Sequence, residues 1–227
     1  GWVAPLALGA MVGRDHRNRR PELDTVLLLL RDYILHEVLA SEDQTLVEFL
    51  LDVAIVERVT GALADAIIDR HAAAMLDRAE ERIAFVRPVG VHGWYEFQPT
   101  FRLALAYEAD RRDRDRAMDR RRSAAAWLEL HDETLAALEL WLYVGDPRAA
   151  LRLLSERHVQ LYDAGLKQTI CDFAERIARG GGPGDVAGMI DLTWSSFFTD
   201  RMTFLRGVGE SVWLAEREGE ISDRERS

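Results

Sequence analysis

Cysteine is nearly absent. Cys171 stands alone among 227 residues, which excludes an intrachain disulfide and any cysteine-based metal spacing; on a helical pattern it reads as a small core residue rather than a nucleophile. Lysine is equally scarce: Lys167 is the one lysine among 29 basic side chains, a bias of coding composition from which no function follows. Long apolar runs are missing. Runs such as residues 26–30, and even the Gly- and Pro-containing stretch 1–12, are far short of the roughly 20 residues that span a bilayer. The N-terminus also lacks the basic region, apolar core and cleavage pattern of a signal peptide, so a cytoplasmic location is expected. Metal and nucleophile patterns are absent as well. His16, His36, His71, His92, His131 and His158 are single, with no pair at the four-residue spacing of a helical metal site. Ser195 and Ser196 have no glycine-flanked elbow and no histidine nearby. No catalytic residue and no metal ligand is expected.

What is present is a globular composition. A hydrophobic share of 48% with 30% charged residues suits a soluble chain long enough for two domains. The net charge of −10 argues against nucleic-acid binding as the main task, because phosphate neutralisation supplies most of the affinity in such complexes.

The segment 83–101, IAFVRPVGVHGWYEFQPTF, is the only stretch that reads as a strand pair. Runs 83–86 and 94–97 are rich in β-branched and aromatic residues and flank a centre with Pro88, Gly90 and Gly93, which predicts a hairpin. Helical spacing surrounds it. A long helix opening at Pro21 has apolar residues at Leu23, Val26, Leu27, Leu30, Ile34 and Val38; a second follows a capping box of Ser41 and Gln44; Thr60 caps a third; residues 72–82 make a fourth. Helices, then a hairpin, then a helix is the order of a winged-helix unit. From Asp24 to Glu108 there are 15 acidic residues against 7 arginines, and the recognition-helix position carries Asp77, Glu80 and Glu81 against Arg78 and Arg82. A helix meant for a major groove needs the opposite excess, so this one is expected to pack on protein.

The tract 111–122 holds seven arginines and three aspartates. It reads as a solvated helix with internal ion pairs, the alternative being an anion patch that Asp113, Asp115 and Asp119 would oppose. Beyond it, short helices are expected over 124–131, 133–144, 147–156, 158–164 and 167–178, as in a helical-repeat solenoid, with Gly145-Asp146-Pro147 a stop followed by a start. Residues 180–184, GGGPG, form a break rather than a phosphate loop, and helices 186–199 and 201–218 follow. Residues 1–12 read as an apolar helix with nothing upstream to cover it, which implies an internal piece of a longer protein.

Four segments, GWVAPLALGA, DYILHEVLASEDQTLVEFLLDVAIVERVTGALADAI, GWYEFQPTFRLAL and RRRSAAAWLELHDETLAALELWLYVGDPRAALRLL, in this order, resemble the middle of the large ATP-dependent LuxR-type regulators. That group includes the maltose-operon activator and belongs to the signal-transduction ATPases with numerous domains. The resemblance implies a mainly α chain in three parts. Residues 1–22 would end a nucleotide-binding module; 23–110 would be a winged-helix-like domain with a small β-hairpin; 111–227 would begin a TPR-like helical-repeat sensor region. It further implies a switch in which ADP clamps the nucleotide module of the same protein against the winged helix. ATP and a small effector such as a sugar would then release a homo-oligomer that binds DNA through a separate domain. Two departures stand out. Gly1, Trp2 and Val3 occupy the place of a Gly-x-Pro near the adenine, and Gln98 replaces a histidine that would reach the ADP phosphate. A glutamine amide donates a hydrogen bond without adding charge, so Gln98 is either a nucleotide-sensing residue or a glutamine that packs the wing. Trp127, Trp141, Tyr143 and Tyr162 are likewise either repeat core or the aromatic wall of an effector pocket. The rival to the whole reading is a free-standing helical-repeat adaptor that binds another protein.

Overall fold

The computed structural model describes residues 28–68, 72–90 and 93–180. The expected helix over 1–12, the Gly1-Trp2-Val3 position, the break at 181–184 and the helices over 186–199 and 201–218 lie outside them. The chain divides into two compact units between Trp127 and Leu128.

Among the described residues the first unit opens on helix α1, described over 28–38, whose last turn Ile34–Val38 is π-helical. Then come α2 (Gln44–Val53), β1 (Arg58–Val59), α3 (Gly61–Ile68), α4 (Ala73–Arg82), β2 (Val86–Val89), β3 (Trp94–Phe97) and α5 (Pro99–Arg112). The strands form an antiparallel sheet of order β1-β3-β2, with Val59 opposite Tyr95 and Val86 opposite Phe97. This is the winged-helix order expected from sequence, with three corrections. β1 is a strand that sequence did not predict, two residues that pair with β3. The first wing strand begins at Val86 rather than residue 83, because α4 runs to Arg82 and Ile83 closes it by donating its N–H to the Ala79 carbonyl. Pro88 then lies in β2, an edge strand, where a missing N–H is tolerated. Finally, α2 is capped by Asp43, whose carboxylate accepts the Leu46 N–H at 3.0 Å, and not by Ser41 with Gln44. Thr60 does cap α3, through Leu63 N–H at 3.1 Å.

The core follows from these faces. Leu46 and Leu50 of α2, Leu63 and Ile67 of α3, Leu76 of α4, Phe97 of β3, and Phe101 and Leu105 of α5 are fully buried. Phe101 stacks on Phe85 with ring centres 5.3 Å apart. Helix α5 does not run on through the arginine tract. It stops at Asp113, where the backbone is extended (φ −152°, ψ 94°), and α6 (Arg114–Leu130) starts with the Asp113 carboxylate accepting the Arg116 N–H at 3.0 Å.

The second unit continues from the end of α6 through α7 (Thr134–Tyr143), α8 (Pro147–Asp163) and α9 (Lys167–Arg179). Leu138, Leu153, Leu154 and Ile170 fill its centre. Two expected helices, 147–156 and 158–164, are one: α8 is unbroken, since Glu156-Arg157-His158 contains neither Gly nor Pro to end it. The α7–α8 turn is set by Gly145 at φ +77°, with the Asp146 N–H bonded to the Trp141 carbonyl at 2.9 Å and Asp146 capping α8. Nothing lies within 4 Å of a Cβ built at Gly145, so its positive φ is the whole requirement. Gly145→Ala is expected to destabilise the protein by about 1 kcal/mol, measured as a lower denaturation midpoint at unchanged slope.

Candidate functional site

Helix α4 buries Leu76 and Ala79 and leaves Asp77, Glu80 and Glu81 exposed. Its two cations are engaged within the unit. Arg78 bonds the Asp43 carboxylate, and Arg82 bonds Glu42 at 2.5 and 3.2 Å. Asp77 accepts the Tyr95 hydroxyl at 2.5 Å. That bond, together with burial and the negative charges of Asp77 and Glu80, pushes the phenol up to about 12. The Leu46 backbone N–H and the Arg78 guanidinium hold the Asp43 carboxyl below its ordinary value against the effect of burial. On the wing, Arg87 pairs with Glu96 at 2.8 Å, its register neighbour on β3. The recognition-helix position therefore offers carboxylates, with its own arginines turned to Glu42 and Asp43, two partners that the spacing of the sequence does not reveal.

Gln98 is half-buried and caps α5. Its Oε1 accepts the Phe101 N–H at 3.0 Å and the Thr100 hydroxyl, while its own backbone N–H donates to the Phe85 carbonyl at 2.8 Å. The side-chain oxygen is committed to the cap, so the NH₂ is the group left to donate elsewhere.

Of the four aromatics, Trp127 belongs to the first unit and the other three to the second. Trp141 and Tyr143 are half-buried at the end of α7. Tyr162 is exposed on α8, fifteen residues past Pro147, or about 22 Å along the helix axis. Trp141 donates its indole N–H to Glu129 at 3.0 Å, and the same carboxylate takes Arg152 at 2.7 and 3.0 Å. The Arg152 bond leads in holding the Glu129 carboxyl low, burial opposes it, and the Trp141 bond adds to it. This network ties α7 and α8 to the last residues of α6, and Arg176 of α9 bonds Glu139 of α7 at 2.6 Å.

The arginine tract is more than a solvated helix with internal pairs. Arg122 with Asp119, and Arg111 and Arg112 with Glu108, are local pairs. Arg112 also reaches Glu48 at 2.9 Å, Arg116 reaches Asp52 at 2.6 and 3.0 Å, Arg120 bonds the Ile67 carbonyl, and Arg121 bonds Asp110 at 2.5 Å. Residues 111–122, grouped with the repeats on sequence grounds, are thus bonded to α2, α3 and α5. Among the described residues no cluster of His, Cys, Asp and Glu could hold a metal, and no helix is long and apolar enough to cross a membrane.

Residues 35–117 match the MalT winged helix domain. Over 206 residues, 88% of its length, the chain is 25% identical to the serine/threonine-protein kinase PknK of Mycobacterium tuberculosis (strain H37Rv) and equally to that of Mycobacterium bovis. It spans 19% of the length of these relatives. The winged-helix match begins in the π turn of α1 and ends at Ala117 in α6, so it takes in the Arg112 and Arg116 contacts as well as the wing.

Proposed function

We propose that these residues form the signal-relay and sensor portion of a bacterial transcription regulator of the MalT type. They would couple effector and nucleotide state to oligomerisation and to DNA binding by domains outside this stretch. The match of residues 35–117 to the MalT winged helix domain carries the reading. The exposed carboxylates of α4 support it, since they favour a protein surface over a phosphate backbone. In this reading the residues catalyse nothing themselves, and ATP or ADP belongs to a nucleotide-binding module upstream. Gln98 would meet that nucleotide through its NH₂, and the half-buried Trp127, Trp141 and Tyr143, with the exposed Tyr162, would be offered to a sugar-like effector by the repeats. The similarity to PknK favours a second reading, in which the same relay serves a protein kinase.

Two measurements test this. In a mobility-shift titration with duplex DNA at about 0.15 M salt the chain alone is expected to give no retained complex, whereas tight salt-dependent binding would sink the relay reading in favour of direct DNA contact. Sedimentation of the full-length encoded protein is expected to show a monomer with ADP and an assembly with ATP plus a small sugar. An unchanged mass under every condition would reject nucleotide-coupled assembly.

A further inference from the structure

The arginines of the tract are spaced to match acids on α2. Glu48 and Asp52 lie four residues apart, and so do Arg112, Arg116 and Arg120. Glu48 and Asp52 share one face of α2, and Arg116 and Arg120 one face of α6; with Arg112 from the last turn of α5 they meet as Glu48 with Arg112 at 2.9 Å, Asp52 with Arg116 at 2.6 Å and with Arg120 at 3.7 Å. The ladder straddles the joint at Asp113, since Arg112 ends α5 and Arg116 lies in the first turn of α6.

Apolar packing across this contact is slight. Among residues 114–122 only Ala117 and Arg121 are buried, and Arg121 is held by the Asp110 carboxylate. Between the rows lies a cleft of about 40 Å³ lined by Leu51, Ile55, Ala109 and Ala117 together with the ladder charges. Arg120 Nε beside it is buried without a hydrogen-bond partner. Leu51 and Ile55 are buried in the first unit and face this cleft, so the apolar share of the contact is these two side chains with Ala117, and one uncharged acceptor, the Ile67 carbonyl, also takes Arg120.

We propose that the first turns of α6 are a charge-latched lever: a helix jointed at Asp113 and held to the winged helix by the Glu48/Asp52–Arg112/Arg116/Arg120 ladder, released when those charges are neutralised or screened. The inference goes beyond the relay reading and stands on the geometry of the first unit alone. Glu48 and Arg112 are each 38% exposed and open to salt, whereas Asp52, 13% exposed against Arg116 at 44%, is screened less. At about 1 M salt the screening length falls to about 3 Å, from about 10 Å at 0.1 M.

Hydrogen–deuterium exchange of the whole chain tests it. In Glu48→Gln/Asp52→Asn, exchange over residues 114–122 is expected to rise about tenfold, with β1–β3 and α2 unchanged. About 1 M NaCl should produce part of the same rise in the native protein and little more in the variant. Asp52→Glu, which keeps the carboxylate, should hold protection near the native level. The lever is rejected if residues 114–122 exchange no faster in the double variant. It is rejected equally if residues 44–105 lose protection together with them, because α6 is then part of the core.

Discussion

Phe101→Ala is expected to lower the stability of the first unit by about 3–5 kcal/mol, the range for deleting a fully enclosed phenyl ring. Phe101 is 1% exposed and is stacked on Phe85, and Phe97, four residues earlier, is 2% exposed. It stands in the first turn of α5, directly after the Gln98 cap. The ring therefore joins the helix start to the strand end that positions the wing, and little around it can collapse into the space it leaves. A native domain is stable by only about 5–15 kcal/mol, so this single loss takes a large part of the total. Urea denaturation followed by circular dichroism measures it as a lower midpoint at unchanged slope. Phe101→Leu, which keeps most of the volume, should cost about 1–2 kcal/mol. A loss below about 1 kcal/mol for the alanine variant would mean that the ring is not enclosed as described.

Such a core was largely legible in the sequence because it is written in periodic and local signals. The apolar spacings of α2 to α4, the Thr60 cap, the wing residues around Gly90 and Gly93, and the stop and start at Gly145-Asp146-Pro147 act within a few residues. What escaped reading depends on partners far away in the chain. β1 is two residues long, too short for any alternation, and exists because Val59 finds Tyr95 across the sheet. The choice of Asp43 over Ser41 as the α2 cap is local, but nothing in the pattern shows that Asp43 also receives Arg78 from 35 residues away. The acid ladder is the extreme case. Glu48 and Arg112 are 64 residues apart, as are Asp52 and Arg116, so the tract could be read only against its own aspartates. The same holds for the candidate site: Gln98 was visible as a departure from a family pattern, but its capping bond follows from the turn geometry that Pro99 imposes. The Trp141–Glu129–Arg152 network joins three helices and has no spacing of its own.

Glu108→Ala is expected to cost about 3–4 kcal/mol, the lower part of the range for removing one partner from a buried ion pair. The Glu108 side chain is 2% exposed and accepts Arg111 at 2.9 Å and Arg112 at 2.7 Å, with Arg31 of α1 at 3.7 Å. Without the carboxylate Arg112 keeps Glu48 and Arg31 keeps Asp32, while Arg111 loses its partner and the three cations lose the charge they share. Arg111 and Arg112, 55% and 38% exposed, can turn to water, but Arg31 at 16% cannot do so freely. Burial of Glu108 favours its neutral form, yet the bonds from Arg111 and Arg112 outweigh burial and hold its carboxyl below the ordinary value. A group whose folded pKa is lowered stabilises the fold above its unfolded value, here about 4.3, and that stabilisation is lost as pH falls through the folded value. Native protein and Glu108→Gln should therefore differ most near neutral pH, and the gap should narrow once pH drops below about 4. Denaturation midpoints of the two proteins, taken across that range, measure it. A gap that stayed constant with pH would show that Glu108 acts through its shape rather than its charge. The arginines around it would then be held by packing, leaving the charge ladder next to it as the part of the arginine tract that salt or substitution can open.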